Sequence, residues 1–127
     1  VADRVPGAAP GCDWTTAATW TFEPLDDDVF PAVRLARRAG AAGGTAPAVF
    51  NGADEACVEA FLAGRIRFPD IVRIIGLVLG EHLAAISPDG NGNTVTLQDV
   101  VSADAWARAR ATELSTAHDG GVDRGGA

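Results

Sequence analysis

Ala48-Val-Phe-Asn-Gly-Ala-Asp-Glu-Ala-Cys-Val-Glu-Ala-Phe-Leu-Ala-Gly64 runs directly into Arg65-Ile-Arg-Phe-Pro-Asp-Ile-Val-Arg-Ile-Ile-Gly-Leu-Val-Leu-Gly-Glu-His82. These two stretches decide the fold. Asn51 offers a side-chain oxygen to cap a helix at the amide of Asp54, and Asp54 is placed to reach back as in a capping box. Gly64 supplies the stop. Ala53, Ala56, Ala60 and Ala63 form a stripe of small residues that lets another helix come close. Pro69 then suits the first turn of a second helix. Ile71, Ile74, Ile75, Val78, Leu79 and His82 recur at the spacing of one helical face, widened by Val72 and Leu77. A helix this apolar belongs at the centre of a bundle.

Working back from Asn51, Ala41 to Pro47 reads as a Gly-rich connector with no G-x-G-x-x-G and no G-K-[ST], so it is not a phosphate loop. Before it, Asp26-Asp27-Asp28 favours a helix N-terminus, with Asp28 as the N-cap and Pro31 in the first turn. That helix would run from Val29 to Ala39 and end at Gly40, with Val29, Val33, Ala36 and Gly40 on one face. An aspartate-rich metal motif of the terpene-cyclase kind needs a further acid at position 30, where Phe30 stands. Trp14 to Phe22, rich in Thr and Trp, has an extended preference and is expected to pack on the helices. Residues 1–13 read as a flexible lead-in.

Working forward, Ser87 to Asn93 is a turn. Thr96 and Asp99 form a second capping box that opens a short helix to Val101. Ser102 caps another, from Ala103 to about Leu114, with Ala105, Trp106, Ala109 and Leu114 inward. Residues 116–127 read as a disordered tail. The fold class is therefore all-α, a small bundle of four to five helices over residues 14–115 with an extended N-terminal segment.

Composition narrows the function. The 127 residues carry a net charge of −7 and no Lys, so every basic side chain is Arg. Nucleic acid and anionic membranes both require a basic face, and neither is expected as a partner. No apolar run is long enough to span a bilayer and no signal peptide opens the chain, which points to the cytoplasm. Cys12 and Cys57 make no metal or redox motif. Cys57 reads as a buried thiol, and the residues leave its pairing with Cys12 open. His82, beside Glu81, reads as a structural histidine near a helix C-terminus rather than half of an acid–base pair, because adjacent helical residues point about 100° apart. No serine elbow and no metal-ligand helix is present. From the residues alone there is no legible active site.

Three stretches carry a resemblance. They are Phe22-Glu-Pro-Leu-Asp with Val29-Phe-Pro-Ala-Val-Arg-Leu-Ala-Arg-Arg-Ala-Gly, then Gly-Gly-Thr-Ala-Pro-Ala-Val-Phe-Asn-Gly-Ala-Asp-Glu, then Ala-Phe-Leu-Ala-Gly-Arg-Ile-Arg-Phe-Pro-Asp-Ile-Val. Together they resemble the C-terminal helical domain of 1-deoxy-D-xylulose 5-phosphate reductoisomerase, in its actinobacterial form, from about Pro6 to Arg110. The resemblance implies an enzyme of isoprenoid precursor synthesis that uses NADPH and a divalent metal, both held by domains outside these residues. No catalytic, cofactor-binding or metal-binding residue carries over onto this chain. The family usually reads Asn-Ala-Ala-Asn-Glu where Asn51-Gly52-Ala53-Asp54-Glu55 stands here.

Two kinds of role follow. The chain is a structural domain whose partner is the catalytic part of a reductoisomerase, not catalytic by itself. Alternatively it is a stand-alone relative that binds a small apolar ligand, runs a reaction of its own, or supports a partner protein. Its status as an enzyme is left open by the residues, although the absence of Met fits a piece of a longer protein. A ligand pocket, if formed, is expected near Trp20, Phe22, Ile75, Leu79 and His82, with Glu81 as the nearest carboxylate. The competing expectation is that Trp14 to Phe22 folds over this face and fills it.

Overall fold

The computed structural model describes residues 11–85 and 94–119; the expected 87–93 turn and most of the lead-in and tail lie outside them. Four helices follow in order: α1 (Ala32–Ala42), α2 (Ala46–Leu62), α3 (Phe68–Ala85) and α4 (Leu97–Asp119). The all-α bundle therefore stands, with four helices and no strand among the described residues.

α2 and α3 form the expected antiparallel hairpin. Gly64, at φ 71°, takes the left-handed conformation that ends α2. Arg65 then donates its backbone N–H to the carbonyl of Ala60 at 2.9 Å. α4 closes on both helices. Gly52 meets Asp104, and Glu55 meets Arg108 three and four residues further on, so α2 and α4 run in the same sense. Glu81 pairs with Arg110 while His82 faces Trp106, so α3 runs against α4. α1 rests on α2 and α3 and does not reach α4.

The main core gathers Val49, Ala53, Ala56, Cys57 and Ala60 of α2, Ile66 of the hairpin, Ile74, Ile75 and Val78 of α3, and Ala107 and Ala111 of α4. A smaller cluster joins Ala39, Ala46 and Leu79 under α1. Each large aliphatic side chain removed from water here contributes roughly 1.5–3 kcal/mol before chain entropy is subtracted. Of the small-residue stripe, Ala53, Ala56 and Ala60 are buried as their spacing implies, whereas Ala63, just past the end of α2, is exposed; Gly52 is buried beside them. Gly52 is the tightest point. A Cβ placed there would sit 2.8 Å from Asp104 Oδ1 and 2.9 Å from the Asp104 backbone oxygen.

Several expectations are corrected. α2 begins at Ala46, not at Asn51, because Pro47 occupies its first turn and the glycine connector shrinks to Gly43, Gly44 and Thr45. α1 starts at Ala32 and ends at Gly43, three residues later than expected at either end. Its inward face is Leu35 and Ala39, rather than Val33, Ala36 and Gly40. α4 is one continuous helix of 23 residues. Ser102 lies inside it, and it passes through 116–119, where a disordered tail was expected. Its buried residues are Ala107, Ala111 and Ser115, while Ala105 and Ala109 face water. Ser115 satisfies its buried hydroxyl by donating to the Ala111 carbonyl at 2.7 Å.

Candidate functional site

The residues expected to line a pocket are dispersed by the fold. Ile75 and Leu79 are buried in the core. Trp20 and Phe22 remain 63% and 86% exposed on the N-terminal segment, so that segment does not close over Leu79. A concavity of about 460 Å³ is present, but it is formed by Cys12, Asp13, Trp14, Thr16, Ala18 and Trp20 alone. It contains none of the α3 residues.

His82, on α3, meets both the start of α2 and α4. It is half-buried, its Nε2 lies 3.0 Å from Thr45 Oγ1, and its ring stands 5.7 Å from that of Trp106. Burial pushes its pKa below the ordinary histidine value, which favours the neutral ring. Glu81 points away to Arg110, which it binds at 2.9 and 3.0 Å through both oxygens. That guanidinium holds the Glu81 carboxyl below the usual carboxylate range. His82 and Glu81 therefore do not form an acid–base pair. They tie α3 to its neighbours.

The expected caps divide in the same way. Thr96 and Asp99 make the reciprocal box: Asp99 N–H donates to Thr96 Oγ1 at 3.2 Å, and Thr96 N–H donates to Asp99 Oδ2 at 2.9 Å. Asp28 does not cap α1. Asp26 instead accepts from the amides of Asp28 and Val29, at 3.0 and 3.1 Å, in a turn that precedes the helix. Asn51 lies one turn inside α2 and donates its side-chain amide to Glu55 at 2.8 Å, and Asp54 sits mid-helix, half-buried.

Sequence reasoning missed Asp70. It is buried, with only 2% of its surface exposed, at the third position of α3. Oδ2 accepts from the Arg67 backbone N–H and from Arg67 Nε, both at 3.1 Å, and Oδ1 accepts from Arg73 Nε at 3.2 Å. This is the back-reaching half of a capping box, strengthened by two guanidinium groups. Arg67, with help from Arg73, draws the Asp70 pKa down to about 2 against the opposing effect of burial. The signal was present: an acid three residues after Arg67, at the start of an apolar helix, with Pro69 between. A second missed element is Arg108, which spans Asp104 at 2.8 Å and Glu55 at 2.6 Å and so bolts α4 to α2.

Among the described residues no group of three or more His, Cys, Asp or Glu is placed to hold a metal ion. No helix among them is long and apolar enough to cross a membrane. Cys12 is exposed, and Cys57 is a buried free thiol whose pKa is pushed up to about 11 by burial. What the chain does carry in quantity is exposed apolar surface. Phe22, Val29, Phe30, Leu62, Phe68, Leu97 and Val101 each keep more than half of their surface in water.

Comparison with known proteins agrees with this arrangement. A family model described as the DXP reductoisomerase C-terminal domain matches residues 1–110. The 1-deoxy-D-xylulose 5-phosphate reductoisomerase of Kitasatospora griseola is 57% identical over 113 residues, covering 89% of this chain and 28% of the relative. That of Cutibacterium acnes is 58% identical over 118 residues, covering 88% and 29%. Among solved structures, the Zymomonas mobilis reductoisomerase in complex with NADPH superposes with a TM-score of 0.67 at 35% identity, over 88% of this chain and 28% of that one. The chain thus spans little more than a quarter of the length of these relatives.

Proposed function

We propose, for a chain that belongs to the DXP reductoisomerase C-terminal domain family, that it is the structural domain of a reductoisomerase, a helical brace for a catalytic body and not a catalyst by itself. One observation carries the reading. The charged side chains and the histidine drawn into contacts in the bundle serve its structure: Asp70 caps α3 with Arg67 and Arg73, Arg108 joins Glu55 to Asp104, Arg110 joins Glu81, and His82 meets Thr45. A catalytic site needs such a group aimed into a cleft. A brace needs them where they are.

NADPH and a divalent metal belong to the rest of such a protein. The Zymomonas relative is described with NADPH, but this chain has neither a Lys nor a metal cluster among its described residues. Its partner on this reading is the preceding three-quarters of a reductoisomerase. The cytoplasm is the compartment expected for that biosynthetic enzyme.

The test is a graft. The matching C-terminal 28% of the Kitasatospora griseola relative is replaced by this chain, and turnover is measured. Turnover by the graft, with none by this chain alone, is the expected result. A grafted protein that folds but is inactive, or turnover by the isolated chain, would overturn the proposal.

A further inference from the structure

We infer that His82 is an acid-sensitive latch, which holds the corner between α1 and α2 against α3 and α4 and lets it open when the ring is protonated. This device belongs to the fold of the chain itself and stands whether or not the proposed function holds.

The corner is held lightly. Gly43 and Gly44 have φ of 66° and 55°, a backbone that glycine adopts without strain. α1 rests on α2 and α3 but not on α4, over a small cluster whose buried residues are Ala39, Ala46 and Leu79. So little buried apolar surface gives α1 a lower opening cost than the main core. A polar contact ties the corner down: Thr45 Oγ1 lies 3.0 Å from His82 Nε2. Thr45 is the N-cap of α2, and its carbonyl accepts the Val49 N–H at 3.1 Å. Its hydroxyl makes no cap bond to the helix and meets the histidine instead.

Protonation works against this contact. Either neutral tautomer can share one proton with the hydroxyl, whereas the charged ring can only donate. The charge would also stand at the head of α2, where the first backbone N–H groups carry partial positive charge and have no side-chain cap. The last carbonyls of α3 and the Trp106 ring, 5.7 Å away, favour a cation. Burial opposes it and sets the direction, toward the neutral ring. The charges around the ring are engaged elsewhere or lie outside. Glu81 of α3 binds Arg110 of α4, which also binds Glu113. Asp104 and Arg108 of α4 pair with each other, and Arg108 also with Glu55. Residues 46–53 of α2 include no titratable side chain, and Arg34, Arg37 and Arg38 of α1 are exposed. When the corner opens, water reaches the ring and its pKa returns to the ordinary value, so falling pH favours the open form.

The experiment is amide hydrogen exchange by NMR at pH 7.5 and pH 5, each rate divided by the intrinsic rate at that pH. It compares the wild-type chain with His82→Gln and with Thr45→Val. Gln keeps a neutral side chain within reach of the hydroxyl and carries no charge at either pH. In the wild type, Leu35 to Ala42 of α1 open more often than Ile74 to Val78 of the core at both pH values. The α1 opening rises at least about threefold on acidification. In His82→Gln that rise is lost, and α1 stays within about twofold across the range. Thr45→Val opens α1 more than in the wild type at pH 7.5, because the tie is gone. Four results would overturn the latch. They are α1 amides that open no more often than the core, a wild-type α1 with no acid response, the same response in His82→Gln, and a Thr45→Val chain whose α1 opens at the wild-type rate. If His82→Gln does not fold, the wild-type imidazole titration stands in for it. A midpoint below that of a free histidine, about 6.5, is expected, and one above it would overturn the latch as well.

Discussion

Replacing Asp70 with Ala should cost this small bundle a large share of its stability. The side chain is buried, and it receives the Arg67 backbone N–H and two guanidinium donors. A backbone cap of this kind is worth about 1 kcal/mol. The side chains of Arg67 and Arg73 are 76% and 46% exposed, so solvent limits each ion pair to about 0–1 kcal/mol. Adding the cap to both pairs gives about 1–3 kcal/mol, against a total near 5–15 kcal/mol for a domain this size. At roughly 4–8 °C per kcal/mol, the thermal midpoint falls by about 5–20 °C.

The same residue predicts a pH signature. Its pKa is depressed from 3.8 to about 2 on folding, so its contribution is complete above 3.8 and is lost as pH falls toward 2. Unfolding should be followed by circular dichroism between pH 2 and pH 7, for the wild type, for Asp70→Ala and for Asp70→Asn. The gap between wild type and Asp70→Ala should be widest above pH 4 and narrow below it. Asp70→Asn keeps the shape but turns an amide donor toward a guanidinium, so it should track the alanine variant. Wild-type midpoints for both variants at pH 7 would refute the reasoning.

Other expectations follow from single contacts. Gly52→Val should destabilise by about 2 kcal/mol or more in chemical denaturation, because its Cβ alone falls 2.9 Å from a backbone oxygen of α4; an unchanged midpoint would mean that α4 moves freely. His82 is held neutral by burial, so its NMR titration should have its midpoint below that of a free histidine. Stability should then decline as pH falls below about 6.5, where the unfolded chain takes up the proton first. A maleimide at pH 8 should label Cys12 readily and leave Cys57 unlabelled in the folded chain, since the Cys57 thiol titrates near 11 and is buried. Equal labelling would contradict the core placement.

The α2–α3 hairpin was legible because its signals agree. An apolar stripe of period 3.6, a proline in the first turn and Gly64 at the stop all indicate one arrangement, and Ile74, Ile75, Val78 and Leu79 are buried as that stripe requires. The start of α2 was misplaced because Asn51 is a good cap in isolation. Pro47 was the stronger signal, and it sat inside a run that looked like a glycine linker. α4 was misread for another reason. Ala103, Ala105, Ala107, Ala109 and Ala111 alternate with Asp104, Trp106, Arg108 and Arg110, so the pattern contrasts too little to show which alanines face inward. Packing against Gly52 and Ala56 decides that, and packing is not local information. The N-terminal aromatics were expected in the core because Trp and Phe are usually covered. In the structure Trp14, Trp20 and Phe22 stay exposed, and neither periodicity nor propensity tells a covered aromatic from an uncovered one.

The claim that this domain braces an active site without entering it is tested most directly by the kinetics of the grafted Kitasatospora griseola protein. The measurement is kcat, KM for NADPH and thermal midpoint, compared with the unaltered relative. On the proposed reading, in which this domain lies clear of the cofactor, KM for NADPH stays within about twofold and the graft unfolds in a single transition. A KM displaced by about tenfold or more, with the midpoint intact, would place this chain inside the site and contradict the account.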